Sequence, residues 1–325
     1  MFVLDSHCDT PSQILKFNRD LSLDNNEGHV DFPKLSKAGV NASFFALYVP
    51  PQMETEEAFA HAGAMLEATR KAVAANGDKA AFACSAAQAR ENAERGLFSI
   101  MLGLENASPI GTDISRFEWF REQGIRYITL CHNADNLVCD SAAGSGTNNG
   151  LSSFGRELVR RMNETGVIVD CAHISDKSFY DVVQYSKCPV VSTHSCCRAL
   201  AGHRRNMTDD MIKALADNGG VIQINFYPVF LQDGCSDDGP SCPYTRIVDH
   251  IDHAVEVAGI GHVGIGSDFD GIDITPYGME DVSKLPLVFD EMRGRGYSES
   301  DIAKVAGENF LRVLATAESA AISRM

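Results

Sequence analysis

Residues 4–11 read "LDSHCDTP" and place His7 and Asp9 at the end of an apolar run that covers residues 2–9. On a strand, residues two apart lie on one face, so these two side chains are expected together and Cys8 on the other face. Histidine and aspartate are common metal ligands and proton carriers, but a single His-x-Asp pair is weak evidence. Its meaning, and the fold, depend on whether other strands end in the same way.

Short apolar runs alternate with helix-like stretches along the chain. Seven runs rich in β-branched or aromatic residues follow the first, at 40–49, 97–105, 125–132, 166–173, 189–194, 219–226 and 262–268. The clearest helical stretches are 54–76, 152–165, 207–219, 245–259 and 298–315, the last with Ser298 as its N-cap. Eight strands, each followed by a helix or helical loop, predict an α/β fold, a (β/α)8 TIM barrel in a single domain over residues 1–325. An open doubly wound sheet has the same alternation and stays the alternative, although the strand count favours the barrel.

Composition and charge exclude several classes of partner. The 325 residues carry a formal net charge of −16 without a basic stripe, which argues against nucleic acid. No apolar stretch approaches the ~18 residues of a membrane span, and the first residues lack the features of a signal peptide. The ten cysteines include no Cys-x-x-Cys pair, which suits a reducing compartment. We therefore expect a cytoplasmic protein with no membrane contact.

The predicted strands end in potential ligands more often than chance would give. Six of the eight finish on a histidine or a carboxylate, and the residues are His7 with Asp9, Glu105, His132, His173, His194 and Asp268. In a barrel the carboxyl ends of the strands converge on one mouth, where the catalytic residues of barrel enzymes sit. This coincidence is the strongest functional signal in the sequence.

The chemistry of these residues points to two metal ions. His7, Asp9, Glu105, His173 and His194 are too many ligands for one open zinc site, but they suit two ions bridged by a carboxylate and ~3.5–4 Å apart. Any one of these histidines alone is more often a hydrogen-bonded loop residue; together, on a barrel, they favour the metal site. The other histidines lie on loops or helices; among them His250 and His253, one helical turn apart, are interpreted as a solvated helix face.

Other residues also fit such a mouth. Arg204 and Arg205 follow the run 189–194, and an arginine there could grip a substrate carboxylate, although pairing with the acidic surface is as good an explanation at this point. Asp268 ends the last strand and is a candidate proton carrier, whereas Asp270 is interpreted as a solvated loop carboxylate. Tyr48, Phe226 and Tyr227 are candidates for lining the pocket or the core.

These residues and their surroundings resemble the membrane (renal) dipeptidase family of zinc peptidases, in the form of a bacterial soluble member. The resemblance runs from about residue 2 to about residue 313 and rests on "DSHCDTP", Glu105 after "IMLGL", "RYITLCHNADN", "VDCAHIS", "STHSCCRALAGHRRNMTDDMI", "INFYPVF" and "VGIGSDFDG". It implies a barrel of the metal-dependent hydrolase type. One departure is Asn106 after Glu105, where many relatives have Gly.

The resemblance also implies roles for the residues. One zinc would be held by His7 and Asp9 and a second by His173 and His194, with Glu105 as the bridge. His132 would stabilise the oxyanion, Asp268 would carry the proton, and Arg205 would bind the substrate's C-terminal carboxylate, with Tyr227 as a further substrate contact.

The implied activity is the hydrolysis of dipeptides with a free C-terminal carboxylate, including L,D-dipeptides, through a metal-bridging hydroxide. Another binuclear-metal amidohydrolase, acting on an N-acyl amino acid, a cyclic amide or an ester, is the alternative, and a non-catalytic metal or peptide-binding protein is a second. Quaternary structure stays open, and the resemblance suggests a homodimer.

Overall fold

The computed structural model describes residues 1–24 and 28–322, and a parallel sheet forms its centre. The strands of the described chain are β1 (Leu4–Cys8), β2 (Ala42–Tyr48), β3 (Ala80–Phe82), β4 (Phe98–Glu105), β5 (Ile125–Thr129), β6 (Ile168–Asp170), β7 (Val191–Ser195), β8 (Val221–Ile224) and β9 (Val263–Ile265). Eight of them follow one another in the order β1-β2-β4-β5-β6-β7-β8-β9, and β3 pairs with β4 outside this path. Every ladder is parallel. The sequence analysis missed β3, which has only three residues.

Main-chain contacts just beyond β9 bring the two ends of the sheet together. The Asp9 N–H donates to the Phe269 carbonyl at 2.9 Å, and the Asp268 N–H donates to the His7 carbonyl at 3.1 Å. The Ser267 N–H and hydroxyl both donate to the carboxylate of Asp5. The eight strands therefore form a nearly closed barrel, and the predicted (β/α)8 fold is confirmed rather than the open sheet.

Helices surround this barrel. They are α1 (Thr10–Phe17), α2 (Phe32–Ala38), α3 (Thr55–Ala74), α4 (Ala86–Glu94), α5 (Ile114–Glu122), α6 (Ser153–Thr165), α7 (Asp176–Tyr185), α8 (Asp209–Asp217), α9 (Pro228–Leu231), α10 (Thr245–Ala258), α11 (Pro286–Gly294), α12 (Glu299–Ala303) and α13 (Asn309–Ile322). Ser298 caps α12 as predicted, because its hydroxyl accepts from the Asp301 N–H. The predicted helix 298–315 is instead divided by a wider turn at Lys304–Glu308 and continues to Ile322.

Apolar side chains fill two separate layers. An inner cluster contains Leu4, Phe44, Met101 and Tyr127 from the strands, and Phe310 of α13 packs against Phe44 with ring centroids 5.1 Å apart. A larger outer cluster holds the opposite faces of the same strands against the helices. Alternate residues of each strand thus face two cores, which explains why the runs read as continuously apolar.

An irregularity in β1 directs His7 toward the barrel mouth. The pairing of β1 with β2 shifts register between Asp5 and Cys8. Leu4 belongs to the inner cluster, but Cys8, four residues later, belongs to the outer one, so the shift reverses which residues of β1 face the inside of the barrel. Irregularities of this kind commonly re-aim a side chain at the rim of a barrel.

Two side chains that were expected to be solvated are buried. His250 is 0% exposed, with Nδ1 accepting from the Cys197 N–H at 3.0 Å and Nε2 3.0 Å from the Leu231 carbonyl oxygen. Asp270 accepts from Arg19 at 3.0 Å, from Thr10 at 2.7 Å and from the His29 N–H at 2.7 Å. Both interpretations from the sequence were wrong, because helical spacing and loop position do not reveal which polar residues receive buried partners.

Candidate metal centre

The seven strand-end residues converge at the carboxyl end of the barrel. Their ligand atoms form three overlapping groups, each within 4.8 Å: His7 with Glu105 and His194, Glu105 with His132 and His173, and His7 with Asp9 and Asp268. The predicted metal ligands therefore lie together. His132 and Asp268, which the sequence analysis assigned to catalysis, lie close enough to belong to the same groups.

Glu105, the last residue of β4, has His7 near one carboxylate oxygen and His173 and His194 near the other. Its Oε2 is 3.6 Å from Nε2 of His7, and its Oε1 is 3.1 Å from Nε2 of His173 and 3.6 Å from Nε2 of His194. Its side chain is 4% exposed. One carboxylate thus offers one oxygen to each side, which is the geometry that a bridging ligand needs.

Each of the three histidines predicted to be ligands has its Nδ1 engaged. The Nδ1 of His7 lies 2.8 Å from the hydroxyl of Tyr127, and that of His194 lies 2.9 Å from the hydroxyl of Thr193. The Nδ1 of His173 lies 3.1 Å from Oδ1 of Asn133. A partner on Nδ1 fixes the ring and the tautomer, so all three Nε2 atoms face the centre.

His132 differs from these three. Its Nδ1 is buried and has no hydrogen-bond partner in the described chain. Its ring packs against Tyr48 and against His173, with centroids 4.9 and 4.2 Å away. Burial, and secondarily the charge of Arg205, lowers the pKa of His132 to about 3, so the imidazole is neutral near pH 7. A neutral imidazole can still donate one N–H.

The unpartnered atoms at the centre fit a bound cation. His7 Nε2 and Asp9 Oδ1 are buried and have no hydrogen-bond partner among the described residues. His173 and His194 bring their Nε2 atoms within 2.8 Å of each other, and burial lowers the pKa of both imidazoles well below the ordinary value. Neutral histidines and carboxylates with free lone pairs are the donor set of a zinc site.

The carboxylates at the centre are held close together and buried, and the nearby charge of His7 offsets only part of the resulting shift in their pKa values. Burial, reinforced by the charge of Glu105, raises the pKa of Asp9 to about 6. Burial also raises the pKa of Asp268 above its usual range. Such crowding is costly in a metal-free protein, and a divalent cation would remove the cost.

The loop after β9 places Asp268 against Asp9. Asp268 and Asp270 both have positive φ angles, 64° and 66°, in a region that L residues adopt rarely. A Cβ on Gly271 would lie 2.1 Å from Oδ2 of Asp9 and 2.8 Å from Oδ1 of Asp268, so only glycine allows this approach. The buried contacts of Asp270 with Arg19 and Thr10 hold the strained turn in place.

A cavity of about 820 Å³ opens over the centre. Asp9, Glu105, His132, His173 and Asp268 form part of its floor, and Arg205, Tyr48 and Tyr227 line it as well. Arg205 is 6% exposed, and its Nε has no partner in the part of the chain that the structure describes. Phe226, which was expected at the pocket or in the core, is fully buried and packs against Phe269.

A family model described as membrane dipeptidase (Peptidase family M19) matches residues 1–324. This chain belongs to that family. The chain is also similar to the uncharacterized dipeptidase C3A11.10c of Schizosaccharomyces pombe, with 39% identity over 226 residues, or 69% of this chain and 54% of the yeast protein. The aligned segment therefore spans about half the length of that relative.

Solved structures of similar proteins share the fold over nearly the full length. The probable dipeptidase PvdM from Pseudomonas aeruginosa has a TM-score of 0.93 and 25% identity, with 98% of this chain and 96% of that chain covered. A metallo peptidase from Rhodobacter sphaeroides, liganded with a phosphinate mimic of the dipeptide L-Ala-D-Ala, has a TM-score of 0.90 and 27% identity, with coverage of 98% and 99%. Across residues 1–24 and 28–322, no helix is long and apolar enough to cross a bilayer.

The sequence analysis missed the residues that lie beneath the candidate metal centre and support its histidines. Asp170 accepts from Thr129 at 2.5 Å and from Thr193 at 2.7 Å, so it orders the hydroxyl that lies next to His194. Tyr127 lies under His7, and a Cβ on Gly103 would come within 2.3 Å of its ring. A buried tyrosine opposite a glycine within apolar strands is the one signal that could have indicated this support.

Proposed function

We propose that this chain is a zinc-dependent dipeptidase that hydrolyses dipeptides with a free C-terminal carboxylate, L,D- as well as L,L-dipeptides. Family membership supports the reaction class. The observation that supports this class of substrate is that the buried Arg205 lines the same cavity as the metal-ligand groups. A guanidinium with an unpartnered N–H next to a hydrolytic centre is suited to a carboxylate placed one residue from the scissile bond.

The residues fit two zinc ions with Glu105 as the bridge. His7 and Asp9 would hold one ion, since their atoms lie 3.4 Å apart. His173 and His194 would hold the other. Bound there, the ions would acidify a water molecule and polarise the scissile carbonyl.

Asp268 is the proposed proton carrier. Its Oδ2 accepts from Nδ2 of Asn225 at 2.9 Å, while its Oδ1 lies 3.8 Å from Nε2 of His7 and faces the centre. We assign Asp268 to take the proton of the attacking water and deliver it to the departing amine. Positioned general acid–base groups of this kind contribute ~10²–10⁴-fold to the rate.

His132 is the proposed donor to the oxyanion. Its neutral ring lies 3.8 Å, Nε2 to Oε1, from Glu105, on the side of His173. An Nε2–H in this position would donate to the carbonyl oxygen as negative charge develops on it. One such preorganised donor is worth ~2.7–4 kcal/mol in comparable sites.

Tyr227 extends the carboxylate end of the cavity. Its ring centroid is 4.9 Å from that of Phe230, and the Arg205 guanidinium lies 5.4 Å from the Phe230 ring. Arg204 is exposed and does not line this cavity, so of the two neighbouring arginines Arg205 is the proposed anchor.

A panel of L,L- and L,D-dipeptides, each offered also as its C-amide, together with N-acetyl amino acids, tests this proposal. The zinc-loaded protein should release amine from the free dipeptides and leave the C-amides intact. Equal cleavage of the C-amides would contradict the anchor role of Arg205. Cleavage of the N-acetyl amino acids alone would favour the second candidate, an amidohydrolase of N-acyl amino acids, since Arg205 would hold their carboxylate equally well.

We also propose a cytoplasmic location, which the ten cysteines support, because eight of them are buried and the sequence contains no Cys-x-x-Cys pair. The homodimer stays a prediction.

A further inference from the structure

The cavity has a strongly acidic side around Tyr227. The Tyr227 hydroxyl donates to Oδ1 of Asp237, and Asp273 lines the same cavity. Burial and then the hydrogen bond and charge of Asp237, followed by the charges of Asp273 and Asp268, raise the pKa of Tyr227. Asp237 and Asp273 are exposed, and neither belongs to the proposed metal or proton-transfer groups.

Arg205 fixes which part of a dipeptide would meet this side. The guanidinium is more than nine-tenths buried, its Nε lacks a partner in the described chain, and it lines the cavity, so it indicates an anionic group there. Phe230 packs against both Tyr227 and Arg205: the Tyr227 ring centroid is 4.9 Å and the Arg205 guanidinium 5.4 Å from its ring centroid. The carboxylate of a dipeptide at Arg205 would therefore lie on the Tyr227 side of the mouth.

The side chain of the second residue branches from the carbon that carries this carboxylate. The cavity that receives it is lined by two apolar side chains, Phe230, which lies next to Arg205, and Ile272, both 8% exposed. Each apolar residue has an aspartate close by: Asp273 follows Ile272 in the chain, and Asp237 accepts from the hydroxyl of Tyr227, whose ring packs against Phe230. A long side chain suits this combination, because its methylene stem can pack on the apolar residues while its charged end lies near the carboxylates.

Charge favours a cation in this position. A neutral second residue would bring its carboxylate close to Asp237 and Asp273 without adding positive charge. Lys16 also lines the cavity, but its ammonium lies over the ring of Phe17, 4.8 Å from the ring centroid, and forms no ion pair with Asp237 or Asp273 in the described chain. A cationic side chain on the second residue would place a positive charge next to Asp237 and Asp273.

We propose that Tyr227, Asp237 and Asp273 form a subsite for a cationic side chain, that of lysine or arginine, on the second residue of the dipeptide. This inference rests on the proposed dipeptidase function.

The test compares kcat/KM for Ala-Lys and Ala-Arg with that for Ala-norleucine, whose side chain has a similar length without the charge. The zinc-loaded wild-type protein should prefer the cationic peptides by roughly tenfold, as expected for two partly exposed ion pairs. In Asp237→Asn combined with Asp273→Asn, the preference should fall toward one, chiefly through KM for the cationic peptides. Asparagine at 237 can still accept from the Tyr227 hydroxyl, so the loss would report charge.

Asp238→Asn is the matched control, because Asp238 is an exposed neighbour that does not line the cavity. It should keep the wild-type preference. A wild-type ratio near one, or a ratio unchanged in the double variant, would overturn the subsite while cleavage of Ala-norleucine left the dipeptidase proposal standing. Failure to cleave any of the peptides would overturn both.

Discussion

Removing the Tyr127 hydroxyl should weaken metal binding without removing a ligand. In Tyr127→Phe the ring keeps its slot over Gly103, but His7 Nδ1 loses the partner that lies 2.8 Å away. Both groups are fully buried, so water cannot replace the hydroxyl. Leaving a buried polar atom unpaired costs ~1–3 kcal/mol, and losing such an outer hydrogen bond typically lowers metal affinity ~10–100-fold.

The assay is competition for zinc between the metal-free protein and a chromophoric chelator. We expect Tyr127→Phe to raise the Kd of one of the two zinc ions by ~10–100-fold and to leave the other nearly unchanged, because His7 lies 3.6 Å from Oε2 of Glu105, whereas His173 and His194 lie 3.1 and 3.6 Å from its Oε1. Thermal unfolding of the metal-free variant would show that the barrel still folds.

Tyr297→Phe supplies the control. Its hydroxyl donates to Asp252 at 2.7 Å, and Tyr297 does not line the cavity over the centre. The same chemical deletion there should leave both zinc affinities at the wild-type value. If Tyr127→Phe bound zinc as tightly as Tyr297→Phe, the support role of Tyr127 would be wrong.

Three other changes separate the roles of individual residues. Asp268→Asn should lower kcat for a neutral dipeptide by ~10²–10⁴-fold with little change in KM, and full kcat would exclude Asp268 as the proton carrier. Arg205→Met should raise KM by ~10–150-fold, since a buried charged hydrogen bond contributes ~1.5–3 kcal/mol; an unchanged KM would remove the carboxylate anchor. Burial lowers the pKa of His250 to about 4, so between pH 6.5 and 4 the unfolded chain binds a proton that the folded chain does not. The free energy of unfolding should therefore fall as the pH drops through this window, by on the order of 3 kcal/mol from this residue. In His250→Gln, the free energy of unfolding measured with urea at each pH should fall less over the same window.

The barrel and the residues at its mouth could be predicted from the sequence because both depend on local patterns. Buried parallel strands read as apolar runs, and the ends of those runs supply His7, Glu105, His173 and His194 without any knowledge of packing. The carboxyl ends of barrel strands converge, so these positions could be brought together by topology alone. The short strand β3 has too few residues to produce such a pattern.

The supporting contacts could not be predicted in the same way. Tyr127 of β5 reaches His7 of β1 although β2 and β4 lie between these strands, and Thr193 beside His194 donates to Asp170 of the neighbouring strand β6. These contacts depend on the closure of the barrel and on strand pairing, which no sequence pattern revealed. Asp270 looked like a loop carboxylate because its partner Arg19 lies 251 residues away. Long-range pairing of polar groups is set by the folded chain rather than by local spacing.

The most direct test of the proposed dipeptidase is a zinc titration of the metal-free protein followed by hydrolysis of a free dipeptide. With His7 and Asp9 on one side of Glu105 and His173 and His194 on the other, activity should rise to its maximum at two equivalents of zinc per chain. Full activity at one equivalent, or activity in the metal-free protein, would contradict the binuclear centre on which the proposed function rests.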